Sequence, residues 1–388
     1  MKKRIYIFCI LIFLLLCSYA NYQITKFDGQ GYVALMISMY FIVKYYKVAN
    51  LKRYIYNPPI VIWGILMGYQ FINAVTKNST HLQEQSIVSS SLLSLTLMIL
   101  VSYLYNADRN SLFKCLIIST TYYLFIGYIF GDTEKYDDRL SGFIYTTQLG
   151  QLSGVACLII SMFIFYKQKI HLFWLYLFPI FVMLLAGARN GFMMVAFAMI
   201  CLAVPFFFKN KRTLFGIIIL VVGLYYAIQD SNVWERLETV NEGAVYTTNT
   251  IWDSILGDRV YYYVIGYQNF IDNPLTGIGL LNFMDYNWYK YPIHSEIMTH
   301  MAEGGLIGLV LYLWFKMWYI RKFFRLCTNS TLILHQCIVA FVTLAVLGLS
   351  ARIYQYPFFF LLYGIINGEI IRLSKYKKTS YENCYLHR

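Results

Sequence analysis

Charge is scarce in this chain. Only 13% of its 388 residues are Asp, Glu, Lys or Arg, against about 25% in soluble domains. The polar surface needed to cover the chain in water is lacking, and that nearly excludes a soluble enzyme of one or two domains. Metal-binding patterns are lacking too: there is no Cys-x-x-Cys, no His-Glu-x-x-His and no outer carboxylate cluster with metal-site spacing. His294 and His300 stand about 120° apart on one helix, a poor arrangement for joint ligation. No metal and no cofactor is therefore expected. The eight cysteines (Cys9, Cys17, Cys115, Cys157, Cys201, Cys327, Cys337 and Cys384) all avoid the expected outer loops, so no disulfide is expected either.

Hydrophobic residues are abundant, at 59% of the chain, with 19% aromatic. A membrane-crossing helix needs about 20 apolar residues. Twelve runs approach that length: about 5–21, 31–48, 58–75, 87–105, 112–131, 146–166, 171–187, 190–208, 213–229, 302–320, 331–350 and 353–371. An even count puts both termini on one side, and short cytoplasmic segments should be rich in Lys and Arg. Starting inside at Lys2, Lys3 and Arg4, the inner segments hold 23 of the 32 basic residues. Only Lys26, Lys77, Lys135, Arg139, Arg189, Arg236, Arg259, Lys290 and Arg352 fall outside. Of the acidic residues, Asp108, Glu369 and Glu382 are inner and the other 16 outer. The formal charge of +13 thus divides into about +20 inside and −7 outside. It reads as an orientation signal and not as affinity for nucleic acid. Residues 1–20 also resemble a signal peptide, but a second hydrophobic run follows closely, and a retained first span is preferred.

The expected organisation is residues 1–229 as the first nine transmembrane helices, 230–301 as a large outer loop with short helices, and 302–388 as three more helices with a basic cytoplasmic tail. A loop of about 70 residues is usually functional or disordered. This one is rich in Trp and Tyr, so it is expected to fold over the outer mouth of the bundle. Those aromatics suit stacking on sugar rings and an interfacial belt equally well.

The outer arginines are what charge sorting leaves unexplained. Arg189 lies in Leu185-Ala-Gly-Ala-Arg-Asn-Gly191, between two apolar runs. It reads either as a loop residue reaching lipid headgroups or as a guanidinium gripping a phosphate by paired hydrogen bonds. Arg139 follows Asp137 and Asp138, which leaves a plain loop ion pair open, and Arg352 could equally be an interfacial anchor. Arg259 opens a helix that Asp258 can cap and that runs to about Ile271 before Asp272-Asn-Pro274. Along it Arg259, Tyr262, Tyr263, Gly266 and Phe270 share one face. A cation in the first turn opposes the helix dipole and makes best sense beside a bound anion. Next come the Pro/Gly turn Asn273-Pro-Leu-Thr-Gly-Ile-Gly279 and the segment Pro292–Gly305, which reads as a helix entering the tenth span. On that helix His294, Met298, Met301 and Gly305 would share one face, and Glu296, His300 and Glu303 another. His294 is a structural histidine on one reading and a base for a hydroxyl proton on the other.

In order, these segments resemble the O-antigen polymerase and O-antigen ligase superfamily. The likeness is carried by Arg139-Leu-Ser-Gly142, Ala188-Arg-Asn-Gly191, Arg259 with Asp272-Asn-Pro-Leu-Thr-Gly-Ile-Gly279, and His294-Ser-Glu-Ile-Met298 with Glu303-Gly-Gly-Leu-Ile-Gly308. It covers about 139–310. Ser295 stands where the family usually has Asn, and Ala188 where it has Ser. The resemblance implies an all-α integral membrane protein with a bundle like that of C-type glycosyltransferases, its site facing the periplasm or exterior of a bacterial inner membrane. The implied substrate is an undecaprenyl-diphosphate-linked oligosaccharide. Arg189 and Arg259 would bind the diphosphate, and His294 would take the proton of the attacking hydroxyl. Arg139, Arg352, Tyr262, Tyr263, Gly277, Gly279 and Glu303 would complete the substrate site. Polymerisation of repeat units is the preferred activity, with ligation of finished glycan to a lipid A core or protein as the alternative; a chain-length regulator is a further candidate partner. A flippase for the same lipid-linked units is the reading from another class, but transporters are commonly built from repeated halves and no repeat is visible.

Overall fold

A computed structural model describes residues 2–18, 30–47, 50–77, 79, 87–130, 132–133, 140–141, 146–186, 191–198, 259–288, 290, 292–326, 332–349, 351 and 356–386. Helices dominate: α1 (Lys2–Leu16), α2 (Gln30–Tyr45), the one-turn α3 (Lys52–Ile55), α4 (Pro58–Thr76), α5 (Ile87–Ala107), α6 (Arg109–Ile129), α7 (Thr146–Lys167) and α8 (Leu177–Ala186). After the undescribed stretch come α9 (Arg259–Asp272), the one-turn α10 (Phe283–Tyr286), α11 (Glu296–Ala302), α12 (Gly305–Leu326), α13 (Leu332–Gly348) and α14 (Phe359–Leu386). Two-residue strands, β1 (Asp132–Thr133) and β2 (Leu140–Ser141), pair antiparallel.

Helices α1, α2, α4 to α8 and α12 to α14 fall on apolar runs of the sequence, α9 to α11 lie in the expected outer loop, and the run 213–229 and the end of the run 190–208 lie outside the described residues. Among the described residues four are long and apolar enough to cross a membrane: Pro58–Thr76, Ser90–Ala107, Arg109–Ile129 and Gln148–Lys167. Shorter apolar helices lie at Gly31–Tyr45, His171–Ala186 and Leu332–Gly348. The protein is thus a helical membrane protein.

The chain forms two compact units. The first comprises Met1–Ala34, Ala107–Thr247 and Thr331–Thr343. In it α1 packs on α6 through Phe13 and Tyr122, with ring centroids 5.2 Å apart, and through the Cys17 thiol, which donates to the Ser119 carbonyl. Helix α7 is the most enclosed of the four long spans, with 94% of its apolar window buried. Gly191 sits against Gly150 of α7 so closely that a Cβ would come within 2.6 Å of that residue's carbonyl group, which excludes any side chain there.

At the start of α6 the Asp108 carboxylate caps the helix by accepting from the Ser111 amide, 3.1 Å, and the Ser111 hydroxyl, 2.7 Å. Partial burial pushes this carboxyl up, but the hydrogen bonds outweigh it and hold it below its ordinary value. The cap therefore acts above the ordinary carboxylate range and is lost as pH falls through the lowered value. Asp108→Ala should cost about 1 kcal/mol, read by thermal unfolding in detergent. Asp108→Asn, which can still cap, should cost less and remove the acid dependence.

The second unit comprises Leu35–Asn106, Thr248–Ser330 and Leu344–Arg388. Its helices α5 and α14 meet closely because Gly364 and Gly368 leave room for Val101 and Tyr105, as small residues do in membrane bundles. Polar groups then join α4, α5 and α14. Asn57 Nδ2 donates to Asn367 Oδ1 at 2.7 Å, Asn367 donates to Ser102 Oγ, and the Tyr105 hydroxyl donates to Glu369. Trp63 of α4 packs between Phe315 of α12 and Phe360 of α14. This frame carries the candidate site at the far end of α4.

Candidate active site around a broken helix

Helix α9 runs from Arg259 to Asp272, close to the bounds read from Asp258 and Pro274. Its Tyr face is the one applied to the His294 segment. Tyr262, 7% exposed, forms a core with Ile278, Phe283, Ile293 and Ala302. Gly266 faces Ile293, Met298 and Ala302, and an added Cβ would lie 3.2 Å from Ile293 Cδ1. The glycine lets α9 approach α11. Tyr263 is half-buried and its hydroxyl donates to the Leu349 carbonyl at 2.7 Å.

The segment Pro292–Gly305 departs from the sequence expectation of one helix entering a span. Helix α11 ends at Ala302, Gly305 takes φ +61°, and α12 starts there. The chain reverses, and α11 folds back along α12, so that His300 stacks on Tyr312 with ring centroids 4.7 Å apart. The expected division of this segment into two helical faces therefore fails. His294 precedes the helix, and Ser295 is its N-cap, accepting from the Met298 amide at 3.5 Å. Two adjacent glycines, one of them in the left-handed region, make the break possible.

A broken helix leaves backbone groups to satisfy at both ends, and the turn 273–279 satisfies them. The amides of Ile278 and Gly279 donate to the carbonyls of Ala302 and Glu303, both at 3.0 Å, at the end of α11. The carbonyls of Pro274 and Leu275 accept from Leu306, 2.8 Å, and Ile307, 3.3 Å, at the start of α12. Gly277, at φ +68°, has no room for a Cβ, which would come 2.5 Å from the Glu303 carbonyl carbon. Gly279 has φ +94° and faces Lys77. The close backbone approach expected of this turn is thus made to residues 302–307 of the chain itself. The Gly277 amide is also taken, by the Asn273 carbonyl at 2.9 Å.

Helix α4 braces the break with a polar stripe. The Tyr69 hydroxyl donates to the Gly304 carbonyl at 2.8 Å. Asn73 Nδ2 donates to Thr276, 2.6 Å, and Glu303, 3.0 Å. Gln70 Nε2 meets His300 Nδ1 at 3.2 Å. Beyond the helix, the Ser79 hydroxyl donates to the Leu280 carbonyl at 2.9 Å.

Below the break lies a cluster of charge that the sequence reading did not anticipate. Glu296, 2% exposed, lies 3.3 Å from Lys316 Nζ and accepts from the Tyr312 hydroxyl at 2.8 Å. Lys316 also donates to the Tyr363 hydroxyl at 2.6 Å. Charge sorting assigned Lys316 to the inner face and Glu296 to the outer loop; the structure pairs them inside the second unit.

The sequence candidates are placed unevenly. His294 is exposed, its ring edge-on to Tyr262 at 6.5 Å between centroids, while its neighbours Ile293 and Ser295 are buried. Tyr262, Gly277, Gly279 and the fully buried Glu303 all belong to the same lobe as His294. Arg259 opens α9 in that lobe, but its side chain lies outside the described residues, as do Arg139, Arg189 and Arg352 entirely. The positions that sequence reasoning missed are Tyr69, Gln70, Asn73, Tyr312, Lys316 and Tyr363. Their one available signal was polarity inside apolar runs, which in a membrane protein marks function or a partner.

Residues 174–313 match the sequence family described as O-antigen ligase. The matched stretch holds Arg189, Arg259, the turn 273–279, His294 and the helix break, and leaves Arg139 and Arg352 outside. No curated protein matches the chain.

Proposed function

We propose that this chain, a member of the O-antigen polymerase and ligase superfamily by its residues 174–313, polymerises undecaprenyl-diphosphate-linked oligosaccharide units at the outer face of the bacterial cytoplasmic membrane. The observation that supports a transfer site is the lobe within the matched stretch, where the Tyr face of α9 packs on the segment that leaves His294 exposed between two buried residues.

In this reading the hydroxyl of the acceptor sugar attacks the anomeric carbon of the donor. A new glycosidic C–O bond forms, and the bond from that carbon to the diphosphate oxygen breaks. His294 takes the hydroxyl proton. Arg189 and Arg259 hold the two phosphates and stabilise the charge that grows on the leaving undecaprenyl diphosphate. Guanidinium groups supply fixed positive charge there, which is the basis for proposing a metal-independent reaction. Both termini are then cytoplasmic and the 230–301 loop is extracytoplasmic.

A second reading, transfer of finished glycan to a lipid A core or protein, is favoured by the ligase description of the matching family. Deleting the gene separates the two. Single repeat units on the lipid A core, or loss of high-mass capsule, support polymerisation. Long polymer retained on the lipid carrier supports ligation and overturns the first reading, and single units stranded on the cytoplasmic face would mark a flippase instead.

A further inference from the structure

The buried chain Gln70, His300, Tyr312, Glu296, Lys316, Tyr363 ties together α4, α11, α12 and α14. At its centre is an ion pair in a place where ions are costly. Desolvating both charges takes more than their attraction returns unless further partners supply hydrogen bonds. Here those partners are present. Tyr312 donates to Glu296, Tyr363 accepts from Lys316, and the ammonium lies 5.1 Å and 5.2 Å from the Tyr312 and Tyr363 ring centroids. Such a pair adds little net stability over an apolar pair of the same size, so its retention calls for another explanation.

The placement of the pair supplies one. Lys316 lies eleven residues into α12, about 16 Å along the helix axis from Gly305, while Glu296 is the first residue of α11. The two can meet only while α11 is folded back along α12. Glu296 is also two residues from His294, separated from it by the N-cap Ser295, whose backbone is extended. On the other side Ile293 is sunk in the Tyr262 core. The orientation of His294 is therefore set between two anchors, an apolar one at Ile293 and an ionic one at Glu296.

We propose that Glu296 and Lys316, completed by Tyr312 and Tyr363, are an internal latch that fixes α11 and so holds His294 toward the acceptor hydroxyl. They are positioning residues. The catalytic part of this inference rests on the reading of His294 as the base; the latch itself does not.

The test uses the full chain in lipid nanodiscs, where hydrogen exchange and the rate of polymer formation from added undecaprenyl-diphosphate-linked repeat units are both measured. Glu296→Gln with Lys316→Met removes both charges and leaves no buried ion unpaired, so this double variant should fold and melt like wild type. It should nevertheless form polymer at least tenfold more slowly, with the loss in kcat and not KM, and amides 296–303 should exchange hydrogen at least tenfold faster than in wild type. Unchanged exchange in that segment overturns the latch. A wild-type rate of polymer formation overturns its role in positioning. In a His294→Ala background the double substitution should cause no further loss; multiplied losses would mean that the pair acts on something other than His294, and would overturn the proposal. If His294→Ala alone forms polymer normally, the base reading falls, and the exchange measurement still decides on the latch. The single Lys316→Met strands a buried carboxylate and should be the least stable of the set; equal stability of single and double variants would also overturn it.

Discussion

Replacing His294 by Ala should lower polymer formation by at least about 100-fold while the protein accumulates and melts normally. A general base contributes roughly 10²–10⁴-fold to a reaction that it assists, and that sets the size of the effect. The normal fold is expected because His294 is exposed and stands outside α11, with the edge-on Tyr262 ring 6.5 Å away. Its loss opens no cavity in the Tyr262 core, and the helix cap belongs to Ser295. Substitution of Arg189 or Arg259 by Ala should likewise abolish product, since removing one charge-stabilising donor commonly costs 10²–10³-fold. The measurement is polymer length and amount in a deletion strain, alongside membrane abundance of each variant. Near-normal polymer in all three would refute the assignment of these residues to the transfer reaction.

The same experiment separates His294 from His300, the other histidine of the segment. His300 is fully buried, beside Gln70 and against Tyr312. Its replacement disturbs the contact between α4, α11 and α12, so abundance or melting should fall together with activity. Loss of activity alone is the signature expected of His294.

Much of this lobe was legible in the sequence, and its limits are instructive. The bounds of α9 were readable from Asp258, a residue type that favours the start of a helix, and from Asn273-Pro274, both local signals. Its inward face follows from helical spacing, and Tyr262 and Gly266 are indeed buried there. The fold-back of α11 was not legible. Gly304-Gly305 reads as ordinary small residues at a span entrance unless the partner turn is known, and that turn lies some thirty residues earlier. The bracing from α4 is still more remote, with Gln70 and His300 separated by 230 residues. Lys316 shows a different limit. A single lysine inside an apolar run can snorkel to a headgroup or pair inside the bundle. Charge sorting treats the two cases alike, and only the return of Glu296 beside it decides. The outer arginines stand out in the sequence as exceptions to charge sorting, and their side chains lie outside the described residues.

Gly277→Ala should destabilise the protein by about 2–5 kcal/mol. Two separate costs combine. At φ +68° an L side chain costs roughly 1–2 kcal/mol. The new Cβ would also come 2.5–2.6 Å from the carbonyl group of Glu303 and the carbonyl oxygen of Ala302. Backbone cannot rotate away as a side chain tip can, so the turn must lift off the helix break. Lifting it breaks the bonds from Ile278 and Gly279 to Ala302 and Glu303, each worth about 0.5–1.5 kcal/mol net. Gly305→Ala should behave alike, since at φ +61° its Cβ would meet the Leu275 carbonyl and the Gly277 amide at 2.5 Å. Gly68 provides the control within the same unit: it lies in α4 with nothing within 4 Å of an added Cβ, and Gly68→Ala should be neutral or stabilising by up to about 1 kcal/mol through helix propensity. Thermal unfolding of the three variants in one detergent makes the comparison. A Gly277→Ala protein that melts with wild type would mean that the turn does not seat on the break. A variant that folds but has lost activity would instead locate the sensitivity at the α11–α12 reversal, because the carbonyls that the turn secures close the short helix whose first residues follow His294.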